Sequence, residues 1–220
     1  MRIHADFSRS AMLLATEQEW IHSPEYGVDR IMLDRIGEEV ARATSIVRYA
    51  PNSSFARHEH ALGEEFLVLC GVFSDEHGDY PAGTYVRNPP GTGHTPFSKN
   101  GCDILVKLRQ FDPTDLQPVV VHTADSSVWP SAIDQPFTTL ALHQFDTEKV
   151  QMLRLPQGCR FSAAPEQGGI ELLVVEGSID FDNNSLGGRA WLRLPSDSGL
   201  EIVAEQDSVL WMKSGHLPTA

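Results

Sequence analysis

The stretch HEHALGEEFLVLCG (58–71), followed by GTYVRNPPGTGH (83–94), places three histidines and a glutamate close together in the chain. His58 and His60 are two residues apart, so on a strand their imidazoles point to the same face. Glu64 opens an apolar strand after a short turn, and a hairpin would return its carboxylate beside the histidines. His94 ends a Pro-Gly turn and can approach from another side. These donors suit one divalent first-row cation, among them Zn, Fe, Mn, Ni and Cu.

The sequence on both sides of this stretch consists of short apolar segments bounded by turn residues. Examples are TSIVRYAP (44–51), CDILVKLRQF (102–111), VQMLRLPQG (150–158) and DSVLWMK (207–213). The chain also contains 17 glycines and 14 prolines, which favour many turns. This pattern predicts an all-β chain built as barrels or sandwiches, with a weak helical pattern at residues 8–20 alone.

A proline-rich segment at 111–130 divides two halves that share one order of elements. GEEFLVLCGVFSDEHGDYPAG (63–83) matches GIELLVVEGSIDFDNNSLGG (169–188) in its placement of glutamate, apolar strand and glycine. The match indicates an internal repeat of about 100 residues. We therefore predict two tandem β-barrel domains, residues 1–112 and 113–220.

The second half has lost most of the metal-binding residues. Ala164 and Glu166 stand at the positions of the two histidines, and Leu200 stands at that of His94. Glu171 is interpreted as the retained carboxylate, at the start of its strand. These residues predict no metal in the second barrel. Glu166 and Glu171 could form a carboxylate pair for acid–base chemistry, but a solvated strand edge and turn is the favoured interpretation.

The formal net charge of −13 argues against nucleic acid and anionic membrane as partners. No apolar run approaches the roughly 18 residues of a membrane helix, and no signal peptide is recognised at the start. Cys70, Cys102 and Cys159 are far apart and odd in number, which argues against a disulfide framework. We expect reduced thiols and a cytoplasmic protein.

Strand alternation gives expectations for other side chains near the proposed ligands. Glu65 has the opposite parity to Glu64 and should face away from the metal, whereas Cys70 shares the parity of Glu64 and should point into the barrel as a buried thiol. Arg48 either orients an anionic ligand or forms a structural salt bridge. Pocket or core lining is expected of Phe66, Val68 and Phe97.

The spacing of the four ligands resembles the two motifs of the cupin superfamily. The first motif corresponds to Asn52-x5-His58-x-His60-x3-Glu64-x6-Gly71, with Asn52 at the usual glycine position because Asn also tolerates positive φ. The second motif corresponds to Gly83-x5-Pro89-x-Gly91-x2-His94, with Ser98 replacing the final Asn. The resemblance implies two double-stranded β-helix, or jelly-roll, barrels.

Residues 15–111, and above all GEEFLVL-x-GVFSDEHGDYPAGTYVRNPPG, resemble the cupin domain of ChrR-type anti-sigma factors. The resemblance implies one zinc ion on His58, His60, Glu64 and His94 and a response to oxidative signals. In those proteins a separate H-x3-C-x2-C zinc domain holds the sigma factor, and no cysteine precedes Cys70 here. We therefore expect no sigma-factor binding by this chain. The second half is expected to be only generically cupin-like.

The ligand set leaves three functions open and identifies no catalytic residue. The first is a metal-bound sensor or small-molecule-binding protein related to ChrR. The second is a metal-dependent dioxygenase using Fe, Mn or Ni, in which the metal acts as Lewis acid and template. The third is a scaffold without chemistry. The second half is expected either to cover the first barrel or to form a homodimer.

Overall fold

The computed structural model describes residues 1–131 and 135–218, and these are almost wholly β-strand and turn. The chain forms two compact units. The first unit contains Met1–Ala5 and Glu19–Ala124, and the second contains Asp6–Gln18 and the described residues from Asp125 onward. The all-β prediction is confirmed. In the described residues no helix has the length and apolar character needed to cross a membrane.

The first unit is built around one antiparallel sheet with the strand order β1-β4-β5-β13-β8-β10-β14, to which shorter strands attach. Its strands are β1 (Arg2–Ile3), β3 (Ile21–His22), β4 (Val28–Gly37), β5 (Ala41–Tyr49), β6 (Ser53–Ser54), β7 (His58–Glu59), β8 (Glu64–Asp75), β9 (Gly78–Pro81), β10 (Thr84–Asn88), β11 (Gly93–His94), β12 (Phe97–Ser98), β13 (Cys102–Leu108) and β14 (Val119–His122).

The second unit contains two sheets, with the strand orders β15-β16-β23-β18-β21-β2 and β17-β22-β19-β20. Its strands are β2 (Ala11–Leu13), β15 (Thr138–Phe145), β16 (Glu148–Leu155), β17 (Arg160–Ala163), β18 (Ile170–Glu176), β19 (Ser178–Phe181), β20 (Asn184–Gly187), β21 (Trp191–Leu194), β22 (Leu200–Ala204) and β23 (Ser208–Ser214). Two short 3₁₀ helices, Ala15–Glu17 and Ser126–Val128, complete the described elements.

The segment 8–20 is not an α-helix, contrary to its weak sequence pattern. It forms strand β2 and a single 3₁₀ turn. Strand β2 pairs with β21 through Ala11↔Arg193 and Leu13↔Trp191, and these sheet hydrogen bonds replace the helical ones. Local propensity is a weak signal, and a free sheet edge outweighs it here.

The repeat seen in the sequence is also present in the strand pairing of the two units. The register shifts once between β4 and β5, beside Leu33, and once between β15 and β16, beside Leu142. It shifts again beside Leu69 in β8 and beside Val175 in β18. Bulges at equivalent positions in the two units indicate that both units have the same strand arrangement.

Each unit has its own hydrophobic core. In the first unit the core includes Tyr49, Phe66, Phe73 and Ile104. In the second unit it includes Leu172, Ile179 and Leu200. In the first unit, the core residues of β8 and β13 are two positions apart along their strands, at Phe66 and Val68 and at Cys102, Ile104 and Val106, so they share one face of the sheet.

Candidate metal centre

Two short strands and one turn bring the predicted ligands together. Strand β7 pairs antiparallel with β11, so His58 and His94 are direct cross-strand partners. The His60 N–H donates to the Thr92 carbonyl at 2.8 Å, which fixes the Pro-Gly turn beside the histidine strand. Glu64 opens β8 immediately after a turn in which the Gly63 N–H donates to the His60 carbonyl. Residues that are distant in sequence thus share one end of the first barrel.

The four side chains converge on one point. The ring centroids of the three histidines are 4.7 to 5.2 Å apart. Glu64 Oε1 lies 3.4 Å from Nε2 of His60 and 3.4 Å from Nε2 of His94. One ligand atom from each of the four residues lies within 4.8 Å of the others. His60, Glu64 and His94 are buried, and His58 is half-buried.

Contacts at Nδ1 orient each imidazole. Nδ1 of His58 lies 3.1 Å from the Ala56 carbonyl oxygen. Nδ1 of His60 lies 3.0 Å from Thr92 Oγ1, and Nδ1 of His94 lies 3.0 Å from Asp75 Oδ2. The Thr92 hydroxyl already donates to the Pro89 carbonyl, so its oxygen accepts a hydrogen bond from His60 Nδ1. All three Nδ1 atoms therefore act as donors, and each neutral ring keeps the Nε2 lone pair for a metal.

The residues fit a divalent ion. Nε2 of His60 and Nε2 of His94 are buried, and within the described part of the chain neither has a hydrogen-bond partner. Buried polar atoms of this kind are rare and call for an explanation, which a shared ion supplies. Two donor atoms that bind one ion at about 2.1 Å are about 3.0 to 3.4 Å apart at angles between 90° and tetrahedral. The observed nitrogen–oxygen separations of 3.4 Å fall in that range.

A second layer of residues holds the ligands in place. Asp75 ends β8; its other oxygen, Oδ1, accepts from the His77 N–H at 2.8 Å and from the Tyr80 hydroxyl at 3.3 Å. Asn88 Nδ2 donates to Glu64 Oε1 at 3.2 Å. Sequence reasoning missed Asp75, Asn88 and Thr92. In the sequence, these three residues are visible only as polar residues close to the ligand motifs. The pairing of the strands is needed to show which ligand each of them contacts.

The histidines titrate differently in the absence of an ion. Burial lowers the pKa of His60, although the Glu64 carboxylate acts in the opposite direction. Burial also opposes the charged form of His94, but the hydrogen bond to Asp75 and the charge of Glu64 outweigh it and raise its pKa. One imidazole is thus biased towards its neutral form and another towards its protonated form. A metal would therefore displace a proton chiefly from His94.

A cavity of about 500 Å³ adjoins the cluster inside the first unit. His58, His60 and Glu64 form part of its wall, beside apolar side chains such as Val47, Phe55, Ile104 and Val106. Ligand pockets typically measure about 300 to 1,000 Å³ and combine apolar walls with a few polar groups. The cavity is large enough for a small organic molecule next to the ligands.

The expected orientation of Cys70 is wrong. Cys70 is exposed, whereas Phe66 and Val68 are buried as predicted. The register shift beside Leu69 inserts one residue, which reverses the alternation so that Cys70 points outward. Strand parity alone does not reveal a bulge.

Three other predictions are settled by contacts in the first unit. Phe97 is 39% exposed and not part of the core, because on the two-residue strand β12 its side chain is exposed while that of Ser98 is buried. Arg48 forms a bidentate salt bridge with Asp103, at 2.9 and 3.1 Å, which selects the structural alternative. Asn52 adopts φ of 61°, so its interpretation as a glycine replacement is confirmed.

Among the described residues of the second unit, the positions that correspond to the four proposed ligands do not hold an equivalent set. Glu171 lies opposite Arg193 and Lys213, as Glu65 lies opposite Arg87 and Lys107. Glu171 is therefore the counterpart of Glu65, and its interpretation as the retained metal carboxylate is wrong. The counterpart of Glu64 is Ile170, which pairs with Leu194 and Ser214 where Glu64 pairs with Asn88 and Leu108.

The expectation of a solvated edge at Glu166 and Glu171 also needs correction. Glu171 is fully buried; it accepts from Trp191 Nε1 at 2.8 Å and lies 2.9 Å from His216 Nε2. Glu166 instead contacts Lys149 at 3.3 Å. The two carboxylates have different partners and do not form an acid–base pair.

Solved structures with the same fold include proteins described as dioxygenases and one described as a complex with nickel(II). A putative dioxygenase from Nostoc punctiforme is 14% identical, with 97% of this chain and 85% of that chain covered and a TM-score of 0.74. The bacterial pirin YhhW from Escherichia coli, in complex with nickel(II), is 14% identical, with 96% and 100% covered and a TM-score of 0.70. Salicylate 1,2-dioxygenase from Pseudoaminobacter salicylatoxidans is 13% identical, with 78% and 67% covered and a TM-score of 0.60.

No curated protein matches the chain in sequence. The family model of the ChrR cupin-like domain matches it twice, over residues 8–112 and 116–218. The expectation that the second half is only generically cupin-like is thereby corrected, and the prediction of two cupin repeats is confirmed. With the fold, the candidate His/Glu cluster and both repeats in agreement, the chain belongs to the ChrR cupin-like domain family.

Proposed function

We propose that the first cupin unit binds one divalent metal ion through His58, His60, Glu64 and His94, and that the ion helps to hold a small molecule in the adjoining cavity. The observation that carries this proposal is that three of the four ligand residues line the 500 Å³ cavity. Ligand residues that form the wall of a cavity leave that side of the ion accessible, and zinc can expand its coordination to accept a further ligand there. The bound ion would supply Lewis acidity.

Zinc is the first candidate for the ion. The resemblance to ChrR implies zinc, and three imidazoles with one carboxylate form a donor set that zinc accepts. The same donors also suit iron, manganese and nickel, and affinity alone does not distinguish these ions. In the zinc form the protein is a ligand-responsive or oxidant-responsive binding protein, in which a signal acts by changing the environment of the four ligands.

A metal-dependent dioxygenase is the second candidate. The observation that favours it is the combination of an open cavity beside the ligands with a fold shared by proteins described as dioxygenases. In this reading the role of the chain's own residues is to bind and orient a substrate within the apolar walls and to exclude water. Asp75 and Thr92 keep the imidazoles in the correct tautomer, as they would for zinc.

Elemental analysis of protein purified without added metal separates the two candidates. One zinc per chain and no dioxygen consumption support the sensor. Iron, manganese or nickel, together with dioxygen consumption on aromatic acid or diketone substrates, supports the enzyme. Absence of any stoichiometric metal after reconstitution refutes both.

Alanine variants of the four ligands test the site itself. Each of His58→Ala, His60→Ala, Glu64→Ala and His94→Ala should lower metal content and remove metal-dependent thermal stabilisation. His77→Ala is a matched control, because His77 lies in the β8–β9 turn and donates to Asp75 through its backbone N–H, which alanine keeps. Full metal occupancy in all four variants would show that the ion binds elsewhere.

A further inference from the structure

Two arginines lie at the end of the cavity away from the metal ligands. Arg30 and Arg35 both line it, and both lie on β4. Cross-strand pairing relates this position to the metal site: Arg35 pairs with Ala43, Ala43 with Leu108, and Leu108 with Glu64. Arg35 and Glu64 therefore lie in one row across four strands, about 14 Å apart along the sheet at the usual strand spacing.

The side chains between these two ends are apolar. Arg30 pairs with Val47, which pairs with Ile104, and Val106 lies in the next inward row. All three of these hydrophobic residues line the cavity. A ligand that spans the cavity therefore contacts an ion at one end, hydrocarbon along its body and guanidinium groups at the other end.

Arg30 has an unused donor. Its side chain is 17% exposed, and among the described residues its Nε has no hydrogen-bond partner. Its recorded ion-pair partner is Glu39, at 3.6 Å, and the Glu39 side chain is 71% exposed. Such a surface pair contributes little and can exchange for another anion. A buried donor without a partner is costly unless a ligand satisfies it.

The second arginine adds to the positive potential. Arg35 is buried and donates to the Glu38 carbonyl. Burial lowers the pKa of Arg35, and the nearby charge of Arg30 lowers it further. Two guanidinium groups that repel each other next to a cavity favour a bound anion, which relieves the repulsion.

The charges that line the whole cavity also favour a bound anion once the proposed metal ion is present. Four arginines and four glutamates line it, although the chain as a whole carries a net charge of −13. A divalent ion at the metal cluster therefore leaves a surplus of positive charge in the cavity. The lining residues that carry charge are Arg30, Arg35, Arg57, Arg109, Glu25, Glu39, Glu59 and Glu64.

We propose that the cavity of the first unit binds an organic carboxylate, with its carboxylate group on Arg30 and Arg35 and its apolar body along Val47, Ile104 and Val106 towards the metal ligands. The planar fork of arginine matches a carboxylate bidentately, and the hydrocarbon walls select an apolar body over a polar one. This inference deepens the proposed function, because it names the class of small molecule held beside the ion.

Binding of matched probe pairs to zinc-loaded protein tests the proposal. Isothermal titration calorimetry compares phenylacetate, 4-phenylbutanoate and 2-naphthoate with their neutral amides, and with inorganic phosphate. At least one carboxylate should bind about tenfold or more tightly than its amide, since a charge-assisted pair is lost in the amide. Amides that bind as well as every carboxylate, or phosphate that binds more tightly than all three, overturn the proposal.

Variants locate the carboxylate group. Arg30→Gln should weaken binding of the carboxylate about tenfold and leave binding of the amide unchanged, and Arg30→Lys should restore part of the affinity. Arg35→Gln provides a second variant if Arg30→Gln unfolds. Arg57→Gln is the control: it removes a cavity arginine whose guanidinium is already held by Glu76 at 2.9 Å. Equal carboxylate affinity in wild type, Arg30→Gln and Arg35→Gln overturns the assignment.

Metal content is measured separately on every variant, so that the two proposals fail independently. Loss of carboxylate affinity in Arg30→Gln with full zinc content supports this inference. Carboxylate binding that depends on Arg30 in protein that takes up no metal refutes the proposed function and retains the inference. Full metal uptake, with carboxylate affinity that does not depend on Arg30 or Arg35, retains the proposed function and refutes the inference.

Discussion

Replacing Asp75 by Asn changes the environment of His94 without removing a metal ligand. Asp75 Oδ2 lies 3.0 Å from His94 Nδ1, and both side chains are buried. An Asn side chain has the same size but no charge. If its amide nitrogen faces His94, the N–H donates to Nδ1, and the imidazole proton then moves to Nε2, where a metal would bind. The variant therefore tests whether the carboxylate sets the tautomer of His94.

The size of the effect follows from the lost contact. A hydrogen bond to a charged group contributes about 1.5 to 3 kcal/mol. Loss of a partner of this kind behind a metal-binding histidine lowers metal affinity about 10- to 100-fold, or about 1.4 to 2.7 kcal/mol. The two ranges overlap, so we expect Asp75→Asn to raise the zinc Kd about 10- to 100-fold.

Competition with a chromophoric chelator at constant pH measures the zinc Kd of wild type and variant. At saturating zinc, the metal-dependent part of the free energy of unfolding should fall by the same about 1.4 to 2.7 kcal/mol. Asp79→Asn is the matched control, because Asp79 lies in the same hairpin and accepts from Ser74 Oγ at 2.6 Å without contacting a proposed ligand. A folded Asp75→Asn protein whose Kd stays within about twofold of wild type would refute the reasoning.

Three further predictions concern backbone, thiols and pH. Gly71→Ala should lower the free energy of unfolding in urea by more than about 2 kcal/mol, because φ is +73° and the added Cβ would lie 2.1 Å from the Gly101 carbonyl oxygen. Gly91→Ala is the control: φ is +85° but the added Cβ meets no atom within 4 Å, so the free energy of unfolding should fall by only about 1 kcal/mol. A thiol reagent at pH 8 should label exposed Cys70 first, because burial raises the pKa of Cys102 to about 11, and Cys70→Ser should abolish this fast phase. Below the raised pKa of His94, zinc must displace a proton from this imidazole, so the zinc affinity should fall about tenfold for each unit by which the pH is lowered. Calorimetry of zinc binding in two buffers with different ionisation enthalpies should detect the proton that is released.

The sequence predicted the four proposed ligands because their chemistry is local. His58 and His60 share a strand face, Glu64 follows one turn later, and His94 ends a Pro-Gly turn, so their spacing predicts one shared site. The all-β class followed equally from short apolar segments between turn residues. The repeat was visible as well, since both copies keep their glutamate, apolar strand and glycine.

Bulges explain where sequence reasoning failed. One extra residue beside Leu69 reverses the faces of the strand beyond it, so Cys70 points outward although it shares parity with Glu64. In the second unit, a register error of one residue made Glu171 look like a ligand, whereas strand pairing makes it the counterpart of Glu65. A shift of one residue moves a side chain to the other face of the sheet, and such a shift cannot be predicted from the residue types.

The sequence by itself determined the kind of donor, the class of fold and the replacement of the three histidines in the second repeat, because these depend on residue type and short spacing. The tertiary structure alone decided which residues support the donors, since Asp75, Thr92 and Asn88 reach the ligands only through strand pairing and folded turns. It also decided that Arg30 and Arg35 share a cavity with Glu64, because that row crosses four strands from separate parts of the chain. Antiparallel pairing of successive strands places residues that are distant in sequence along one row of the sheet.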